Sequence, residues 1–308
     1  MAGVIVQRLL SSVLVIVGAL ILVFFILYLL PGDPVLIMLA GAPASPETVQ
    51  NLRHQLGLDQ PVWVQLGTYL WDMLRGDFGR SLVSDDPVLP KIWEQFPATA
   101  LLTLVSSCIA VALGVMLGVL SAIQKGRAVD LFARIVSLFG ISMPTFWSGI
   151  LLILIFSVQL QWLPAMGSEG VRTLILPALT LGLVGAGFIV RMVRNSMLEV
   201  LGEPFIVTLR SKGLPEQIVM YRHALRNALI PAITMVGIQI GELMAGAVVI
   251  ETVFSRQGIG RLLADAITAK DLPVVQGVVF FTAIAYVVVN LLVDISYSIV
   301  DPRVRRSL

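Results

Sequence analysis

The chain has 308 residues, of which 57% are hydrophobic and 13% are charged, and its mean hydropathy is +0.93. A soluble globular domain is only about 45–50% apolar and about 25% charged, so this composition excludes a soluble protein and a disordered one. The formal net charge of +2 gives no reason to expect nucleic acid as a partner. The single cysteine, Cys108, lies in an apolar run and excludes a disulfide framework or a cysteine-based metal site. The sequence therefore predicts an all-α integral membrane protein.

Six stretches are long and apolar enough to cross a bilayer, which takes about 20 residues. In chain order they are Leu9–Leu30, Ala98–Ile123, Ile135–Trp162, Thr173–Val190, Asn227–Val253 and Val274–Val300. The first is longer than the apolar region of a signal peptide and has no small-residue cleavage site after it, so we expect it to be retained. Six spans put both termini on one side of the membrane. Most of the Lys and Arg residues in the short loops fall on that side, which predicts cytoplasmic termini.

The first long segment between spans, residues 31–97, lies outside the cell in this topology. Ser45 followed by Pro46 predicts a short helix with serine as its N-cap and proline as its first residue. Pro61–Leu74 holds two tryptophans and a tyrosine among few charges, which is typical of a helix at the membrane interface. The segment is either a lid on the outer end of the helix bundle or a contact surface for an external partner. Under the second interpretation the candidate contact residues are Asp77, Arg80 and Ser84.

The second long segment, residues 191–226, lies inside the cell and is rich in Lys and Arg. Gly202-Glu203-Pro204 breaks the helix that leaves the fourth span, and Phe205–Lys212 predicts a short helix. Gly213 suits a left-handed position at the end of that helix, and Pro215 suits the first position of the next. The basic residues in the last turn, where cations favour the helix dipole, are Arg210 and Lys212. This loop contains more helix-starting and helix-ending residues than a loop that only sets membrane topology requires.

Catalytic motifs are not found in the sequence. A Gly-x-x-x-x-Gly-Lys-Ser/Thr phosphate loop does not occur, so we do not expect ATP to bind through such a loop on this chain. The two histidines, His54 and His223, both lie outside the predicted spans, which argues against a serine hydrolase or a histidine-ligated zinc site within the membrane. We expect no catalytic residue, no metal site and no cofactor in this chain.

Three acidic residues lie within predicted spans, where an ionisable group is costly and indicates a functional site by default. Glu242 is the deepest, and the glycines and alanines around it predict a buried face that packs against protein. It is either a structural hydrogen-bonding residue or, together with Gln239, part of the solute path. We expect Glu251 to join the outer loop and Asp294 to pair with a basic residue near the inner membrane surface. Pro144, which interrupts the third span, is expected to kink its helix, as are the prolines of the fourth and fifth spans, Pro177 and Pro231.

Several motifs, taken in order, resemble one known family over nearly the whole chain. They are Leu30-Pro31-Gly32-Asp33-Pro34, Gly57-Leu58-Asp59-Gln60-Pro61, Gly76-Asp77-Phe78-Gly79-Arg80-Ser81, Lys212-Gly213-Leu214, His223 to Pro231, Glu251-Thr252-Val253-Phe254, Gly258-Ile259-Gly260 and Asp301-Pro302-Arg303. The sequence is similar in these motifs to permease subunits of ATP-binding-cassette (ABC) importers, in the branch for dipeptides, oligopeptides and nickel.

The resemblance implies a six-helix permease of the type I importer fold in the bacterial inner membrane, with a longer extracytoplasmic segment after the first helix. It divides the chain into residues 1–97, a permease core at 98–302 with a coupling loop at 191–226, and a cytoplasmic tail at 303–308. The implied partners, besides the lipid bilayer, are a second homologous permease subunit, two cytoplasmic ATPase subunits that bind ATP and Mg²⁺, and an extracytoplasmic solute-binding protein. The implied function is to form half of the pore for peptides or a related small solute.

In this family a Glu-Ala-Ala sequence followed three residues later by glycine forms the coupling helix that docks on an ATPase. The glycine corresponds here to Gly213, whereas Val207, Thr208 and Leu209 stand in place of Glu-Ala-Ala. The residues that the resemblance assigns to coupling are Arg210, Lys212, Gly213 and Leu214.

Two other classes of membrane protein compete with this interpretation. A secondary transporter could use Glu242 as a proton or cation site, but the sequence shows no internal repeat, and such a carrier has no obvious use for a coupling loop. A scaffold protein would not need a polar group within the fifth span. The sequence leaves the solute open among dipeptides, longer peptides, glutathione, nickel or metallophores, and opines.

Overall fold

The computed structural model describes residues 2–29, 34–39 and 45–300, with side chains for 10–29, 34–39, 45–233 and 235–292. The helices up to the second span are α1 Ala2–Leu29, α2 Pro34–Met38, α3 Pro46–Gln55, α4 Val62–Arg75 and α5 Val88–Ile123. Those that follow are α6 Ala128–Ser142, α7 Thr145–Leu152, α8 Gly170–Leu201, α9 Pro204–Ser211, α10 Glu216–Ile218, α11 Leu225–Val253, α12 Ile259–Ala269 and α13 Leu272–Val300. Over the described ranges the fold is all-α, as predicted, and a single antiparallel bridge joins Arg80 to Pro87.

Some sequence predictions fall outside these residues. They concern most of the motif Leu30–Pro34, the side chain of Asp294, the motif Asp301–Arg303 and the tail at 303–308.

Five of the described helices are long and apolar enough to cross a membrane, or six spans result if α6 and α7 count as one. The third predicted span, Ile135–Trp162, is broken and is not one kinked helix. The chain breaks at Met143 and Pro144, and the two helices meet at an angle of 115°. Proline disfavours helical geometry at the residue before it, and Met143 is accordingly extended, with φ −84° and ψ 135°. Pro144 therefore ends α6, whereas Pro177 and Pro231 lie inside continuous helices.

Helix α5 begins at Val88, before the predicted start of the second span at Ala98, and includes Pro97. The predicted cap of α3 is confirmed: the backbone N–H of Thr48 donates to Ser45 Oγ at 3.2 Å, and Pro46 is the first helical residue. This bond satisfies one of the donors that the first helical turn leaves unpaired.

The chain forms two compact units, one from residues 1–98 with 258–288 and the other from 99–257 with 289–308. The core of the first unit contains Leu20 and Phe24 of α1, Tyr69 and Met73 of α4, and residues of α5, α12 and α13. The second unit has two apolar clusters, in which α8 and α11 both take part. The domain boundaries proposed at residues 97 and 302 stay predictions.

Helix α8 organises the second unit by close approach to its neighbours. A Cβ atom at Gly140 of α6 would lie 2.5 Å from the carbonyl oxygen of Leu183 on α8. A Cβ atom at Gly114 of α5 would lie 2.5 Å from the side chain of Ile189 on α8. Real Cβ contacts do not reach such distances, so only glycine permits this spacing. Small residues at helix contacts are typical of membrane proteins, where the hydrophobic effect does not drive helices together.

Candidate functional site

The predicted coupling loop forms a helix, a tight turn and a second helix. Helix α8 ends at Leu201, and α9 begins at Pro204 after an extended Glu203. Ile206 of α9 is fully buried in the apolar cluster that also contains Met197 of α8 and Val219. This anchor fixes one face of α9 on the unit, whereas the next residue, Val207, is exposed.

The turn after α9 is closed by glycine as predicted. Gly213 has φ +75°, and its N–H donates to the carbonyl of Arg210 at 2.9 Å. A Cβ atom at Gly213 would meet nothing within 4 Å, so the requirement for glycine is purely conformational. Pro215 is the extended residue before α10, with ψ 140°, and not the first helical residue that the sequence predicted. From Glu216 the chain runs through π-helical turns at Val219–Ala224 into α11 without a break.

An ion pair spans this turn. The guanidinium of Arg210 donates to both carboxylate oxygens of Glu216, at 2.6 and 3.1 Å. The hydrogen bonds from Arg210 lower the pKa of Glu216 below its ordinary value. Of the four residues assigned to coupling, Arg210, Lys212 and Gly213 are exposed, whereas Leu214 packs partly against the apolar cluster beneath the loop. Three of the four thus lie together at the tip.

A buried acid near this loop, Asp130, was not among the residues predicted from the sequence, and its side chain is only 2% exposed. Its carboxylate accepts hydrogen bonds from Ser121 Oγ at 2.6 Å and from the N–H of Gly126 at 2.9 Å. Arg194 on α8 donates to both oxygens, at 2.8 and 3.1 Å, and Arg134 lies 3.6 Å away. The carboxylate therefore joins the end of α5, the first turn of α6 and the inner part of α8. The available signal was an acid in a first helical turn between clustered basic residues.

Glu242, which was predicted to lie on a buried face that packs against protein, is exposed on α11 in the isolated chain. The buried residues of this part of α11 include Gly241, Leu243 and Gln239, which is 3% exposed and packs near Gly185 of α8. Hydropathy cannot tell which face of an apolar helix meets protein, because lipid is as apolar as leucine. No bond from Glu242 to another described residue is formed that could serve as its structural partner.

The buried acid of α11 is Glu251, which was expected to join the outer loop. Glu251 is fully buried in the second unit and accepts a 2.6 Å hydrogen bond from the hydroxyl of Thr99. The N–H of Arg256 donates to the carbonyl of Glu251 at 2.8 Å. The Arg256 side chain is 4% exposed, and burial lowers its pKa while the charge of Glu251 acts in the opposite direction. The hydrogen bonds of Glu251 and Arg256 thus hold the outer end of α11 in place.

The three candidate contact residues of the outer segment lie in one loop of the first unit. Asp77 accepts from the N–H of Gly79 at 3.0 Å, and the exposed Arg80 pairs with Asp85 at 2.9 Å. Ser84 accepts a hydrogen bond from Lys91 and donates to Ser81. The buried Asp271 anchors the loop, because its carboxylate accepts hydrogen bonds from Ser81 Oγ and from the N–H of Leu82. It is thus an ordered, solvent-exposed surface.

Metal-binding chemistry is not apparent in the part of the chain that the structure describes. Those residues contain no group of three or more His, Cys, Asp or Glu side chains that could hold an ion.

Comparison with known proteins gives consistent matches. Residues 1–103 match the family model for the N-terminal part of a binding-protein-dependent transport system membrane component, and residues 114–306 match the model for the inner membrane component itself. A Brucella abortus protein whose name assigns it to a peptide transport system as permease is 44% identical, over 99% of both chains. The dipeptide transport system permease protein of Alkalihalophilus pseudofirmus is 38% identical, over 97% of this chain and 98% of the other.

One further relative and one solved structure are also similar to this chain. The glutathione transport system permease protein of Salmonella typhimurium is 40% identical over 99% of both chains. An inward-facing crystal structure of the methionine ABC transporter MetNI matches with a TM-score of 0.59 and 21% identity, covering 69% of this chain and 98% of the other. The fold is therefore the type I ABC importer permease fold.

We predict that Asp130→Asn lowers the stability of the purified chain in detergent by about 1.5–3 kcal/mol, because it removes the counter-charge and a charge-assisted hydrogen bond of Arg194, whose side chain is 18% exposed. The matched control is Asp265→Asn, which breaks the more exposed pair with Arg261 at 3.1 Å and should cost about 0–1 kcal/mol. Thermal unfolding followed by circular dichroism measures both. Equal shifts for the two variants would contradict a stabilising role of the Asp130 network.

Proposed function

Because the chain belongs to the family of binding-protein-dependent transport system inner membrane components, we propose that it imports peptides or a closely related small solute. The family is that of permease subunits of ABC importers, which are multi-pass inner membrane pore subunits without enzymatic activity of their own. The observation that carries the choice of solute is the set of full-length relatives at 38 to 44% identity, named for peptide, dipeptide and glutathione transport. The comparisons offer no support for an ion-driven secondary transporter.

The chain acts with other transporter subunits, and we propose their composition as well. A second homologous permease subunit completes the pore, two cytoplasmic ATPases bind ATP and Mg²⁺, and a solute-binding protein delivers the solute from outside. The excess of Lys and Arg in the short loops on the side of the termini supports cytoplasmic termini. In that orientation α9 and the Gly213 turn face the ATPases, and the loop at 77–84 faces the binding protein.

The proposed solute class is tested by uptake into proteoliposomes that contain the complete transporter and its binding protein. We expect ATP-dependent uptake of a labelled dipeptide. Unlabelled glutathione and nickel are added as competitors, and the strength of their competition ranks the candidate solutes. Uptake that proceeds without ATP and follows an imposed ion gradient would contradict the ABC mechanism. Competition by nickel alone would contradict the assignment to peptides.

The proposal for coupling is that the tip of α9 transmits force between the membrane helices and an ATPase. Three features support it: the exposed tip, the left-handed glycine that shapes it, and the buried anchor at Ile206. Arg210 is oriented by Glu216, whereas the neighbouring Lys212 has no ion pair to another described residue. A basic tip on an anchored short helix suits a complementary groove on a partner.

We predict that Gly213→Val uncouples ATP hydrolysis from uptake, because a β-branched residue is strained at φ +75°. The matched control is Gly213→Asn, since asparagine tolerates the left-handed region and nothing lies within 4 Å of a Cβ atom there. We expect uptake per ATP hydrolysed to fall for the valine variant and to stay near the wild-type value for the asparagine variant. Both should assemble at wild-type levels. Normal coupling in Gly213→Val would contradict the proposal.

The proposal for the solute path rests on Glu242. A carboxylate within an apolar span is almost always directed at protein or at a water-filled cavity, because exposure to lipid is costly. Glu242 is exposed on the isolated chain, so its face is completed by another subunit, by the water of the pore, or by both. Gln239, buried under α8, is less suited to contact solute and is better explained by helix packing.

We predict that Glu242→Cys, in a chain whose Cys108 is replaced by alanine, reacts with a charged, membrane-impermeant thiol reagent in the complete transporter. The matched control is Val249→Cys, a position on α11 that is 42% exposed and carries no polar group. Reaction at residue 242 but not at residue 249 is the expected result. An unreactive residue 242 in every nucleotide state would remove it from the solute path and assign it to the subunit interface. Glu242→Gln should then leave uptake unchanged.

The landing surface for the binding protein is proposed at Asp77, Arg80 and Ser84. We predict that a photo-crosslinker in place of Arg80, which is exposed and paired only with Asp85 in the described loop, captures the binding protein in intact cells. A crosslinker at Lys270, the residue that ends α12, is the control. Crosslinks from Lys270 alone would assign residues 77–84 to a lid.

A further inference from the structure

A cavity of about 360 Å³ lies within the first unit, at the ends of two membrane helices. Phe24 of α1 and Pro273 and Gln276 of α13 line one side of it, and α4 lines the other. The apolar parts of α1 and α13 that could span the membrane run from Leu10 to Leu29 and from Leu272 to Leu292. Phe24 lies near the end of the first range and Pro273 near the start of the second. The cavity is therefore at the level of the lipid headgroups, on the side opposite the termini.

The polar wall of the cavity is acidic. Asp72 and Asp77 both line it, and its described lining contains no Lys or Arg. The turn at Gly76, with φ +78°, folds the chain back so that the N–H of Asp77 donates to the carbonyl of Asp72 at 3.0 Å. Two carboxylates in a wall whose described lining contains no lysine or arginine favour a positively charged ligand. A metal ion is disfavoured, because no third His, Cys, Asp or Glu joins them among the described residues.

The hydroxyl of Tyr69 gives an independent indication. Tyr69 lines the same cavity, is 9% exposed, and its hydroxyl has no hydrogen-bond partner among the described residues. Burial accordingly raises the pKa of Tyr69. A buried polar group without a partner carries a free-energy cost that a bound ligand with N–H donors would remove. The ring itself stacks on Phe24 at 5.7 Å, so its position is fixed.

The surroundings of the cavity favour an amphiphilic ligand. Trp63 and Trp71 of α4 are 70% and 55% exposed, and tryptophan is enriched where protein meets the headgroup layer. A second cavity of about 540 Å³ shares Phe24, Gln65 and Pro273 with the first, and Arg53 lines it. Carboxylates in one cavity and an arginine in its neighbour match the ammonium and the phosphate of a zwitterionic headgroup.

We propose that this cavity binds the primary ammonium group of a phosphatidylethanolamine-type lipid in the outer leaflet. An ammonium group has three N–H donors, which match the acceptors that Asp72, Asp77 and Tyr69 provide. A quaternary choline headgroup has no N–H donor and cannot satisfy them. The inference concerns a lipid site that shares Asp77 with the proposed landing surface. Its assignment to the outer leaflet rests on the orientation proposed above.

The test uses the full chain purified in detergent and native mass spectrometry with dioleoyl phosphatidylethanolamine or dioleoyl phosphatidylcholine. We expect the ethanolamine lipid to bind roughly tenfold more tightly, the ratio expected for one charge-assisted hydrogen bond. The preference should vanish in Asp72→Asn/Asp77→Asn. It should persist in Asp85→Asn, which removes an acid of the same unit whose side chain is 82% exposed and outside this cavity. Equal binding of the two lipids to the wild-type chain would overturn the proposal.

Tyr69→Phe separates binding from packing, because it keeps the ring and removes only the hydroxyl. We expect the preference for ethanolamine to fall in this variant. An unchanged preference together with a raised melting temperature would show an orphaned hydroxyl with no ligand and would overturn the role of Tyr69. A dipeptide in excess supplies the same ammonium chemistry from a solute. Failure of the dipeptide to displace the lipid supports a lipid site, whereas displacement would overturn it, and neither result bears on ATP-dependent uptake.

Discussion

The second unit depends on a carboxylate that is removed from water and surrounded by donors. Asp130 can remain charged there because a hydroxyl, a backbone N–H and a bidentate guanidinium satisfy it together. A buried pair of this kind contributes little net stability compared with well-packed apolar residues, but removing one partner is expensive. Its consequence is therefore geometric. The two hydrogen bonds to Asp130 fix the position of the Arg194 guanidinium. The inner part of α8, which continues toward α9, is therefore held at a fixed distance from α5 and α6.

Further into the helix bundle, close contacts at glycine residues set the distances from α8 to α5 and α6. The approach of α8 to α6 at Gly140 and to α5 at Gly114 leaves no room for a Cβ atom. Helices in lipid gain little from burying apolar surface, so close contact of this kind is what distinguishes one packing from another. The ion pair and the glycine contacts together fix α8, and α8 in turn gives α9 and α11 the surface on which Ile206 and Gln239 are buried.

Much of this fold could be predicted from the sequence, because helix length and local signals depend on short stretches of chain. The spans follow from hydropathy, the start of α3 from Ser45 and Pro46, and the turn after α9 from Gly213. The break at Pro144 was underestimated as a kink, since the sequence shows a proline but not whether neighbouring helices will support a continuous helix around it. Which acids are buried could not be predicted. Glu242 and Glu251 occupy the same apolar helix, and only the packing of other helices decides that Glu251 lies inside and Glu242 outside.

The unbroken helical path from Glu216 to Val253 has a mechanical meaning. Its contour from Glu216 to Glu242 is roughly 40 Å, at a rise of about 1.5 Å per residue. Arg210 ties the tip of the turn to the first residue of this path through two hydrogen bonds. A displacement of the tip therefore acts on the start of a continuous helix and not on a flexible linker. A continuous helix transmits such a displacement along its length. Regular α-helical hydrogen bonding along this path is interrupted at the π-helical turns, Val219–Ala224, and at Pro231, so these are the places where a twist could be absorbed.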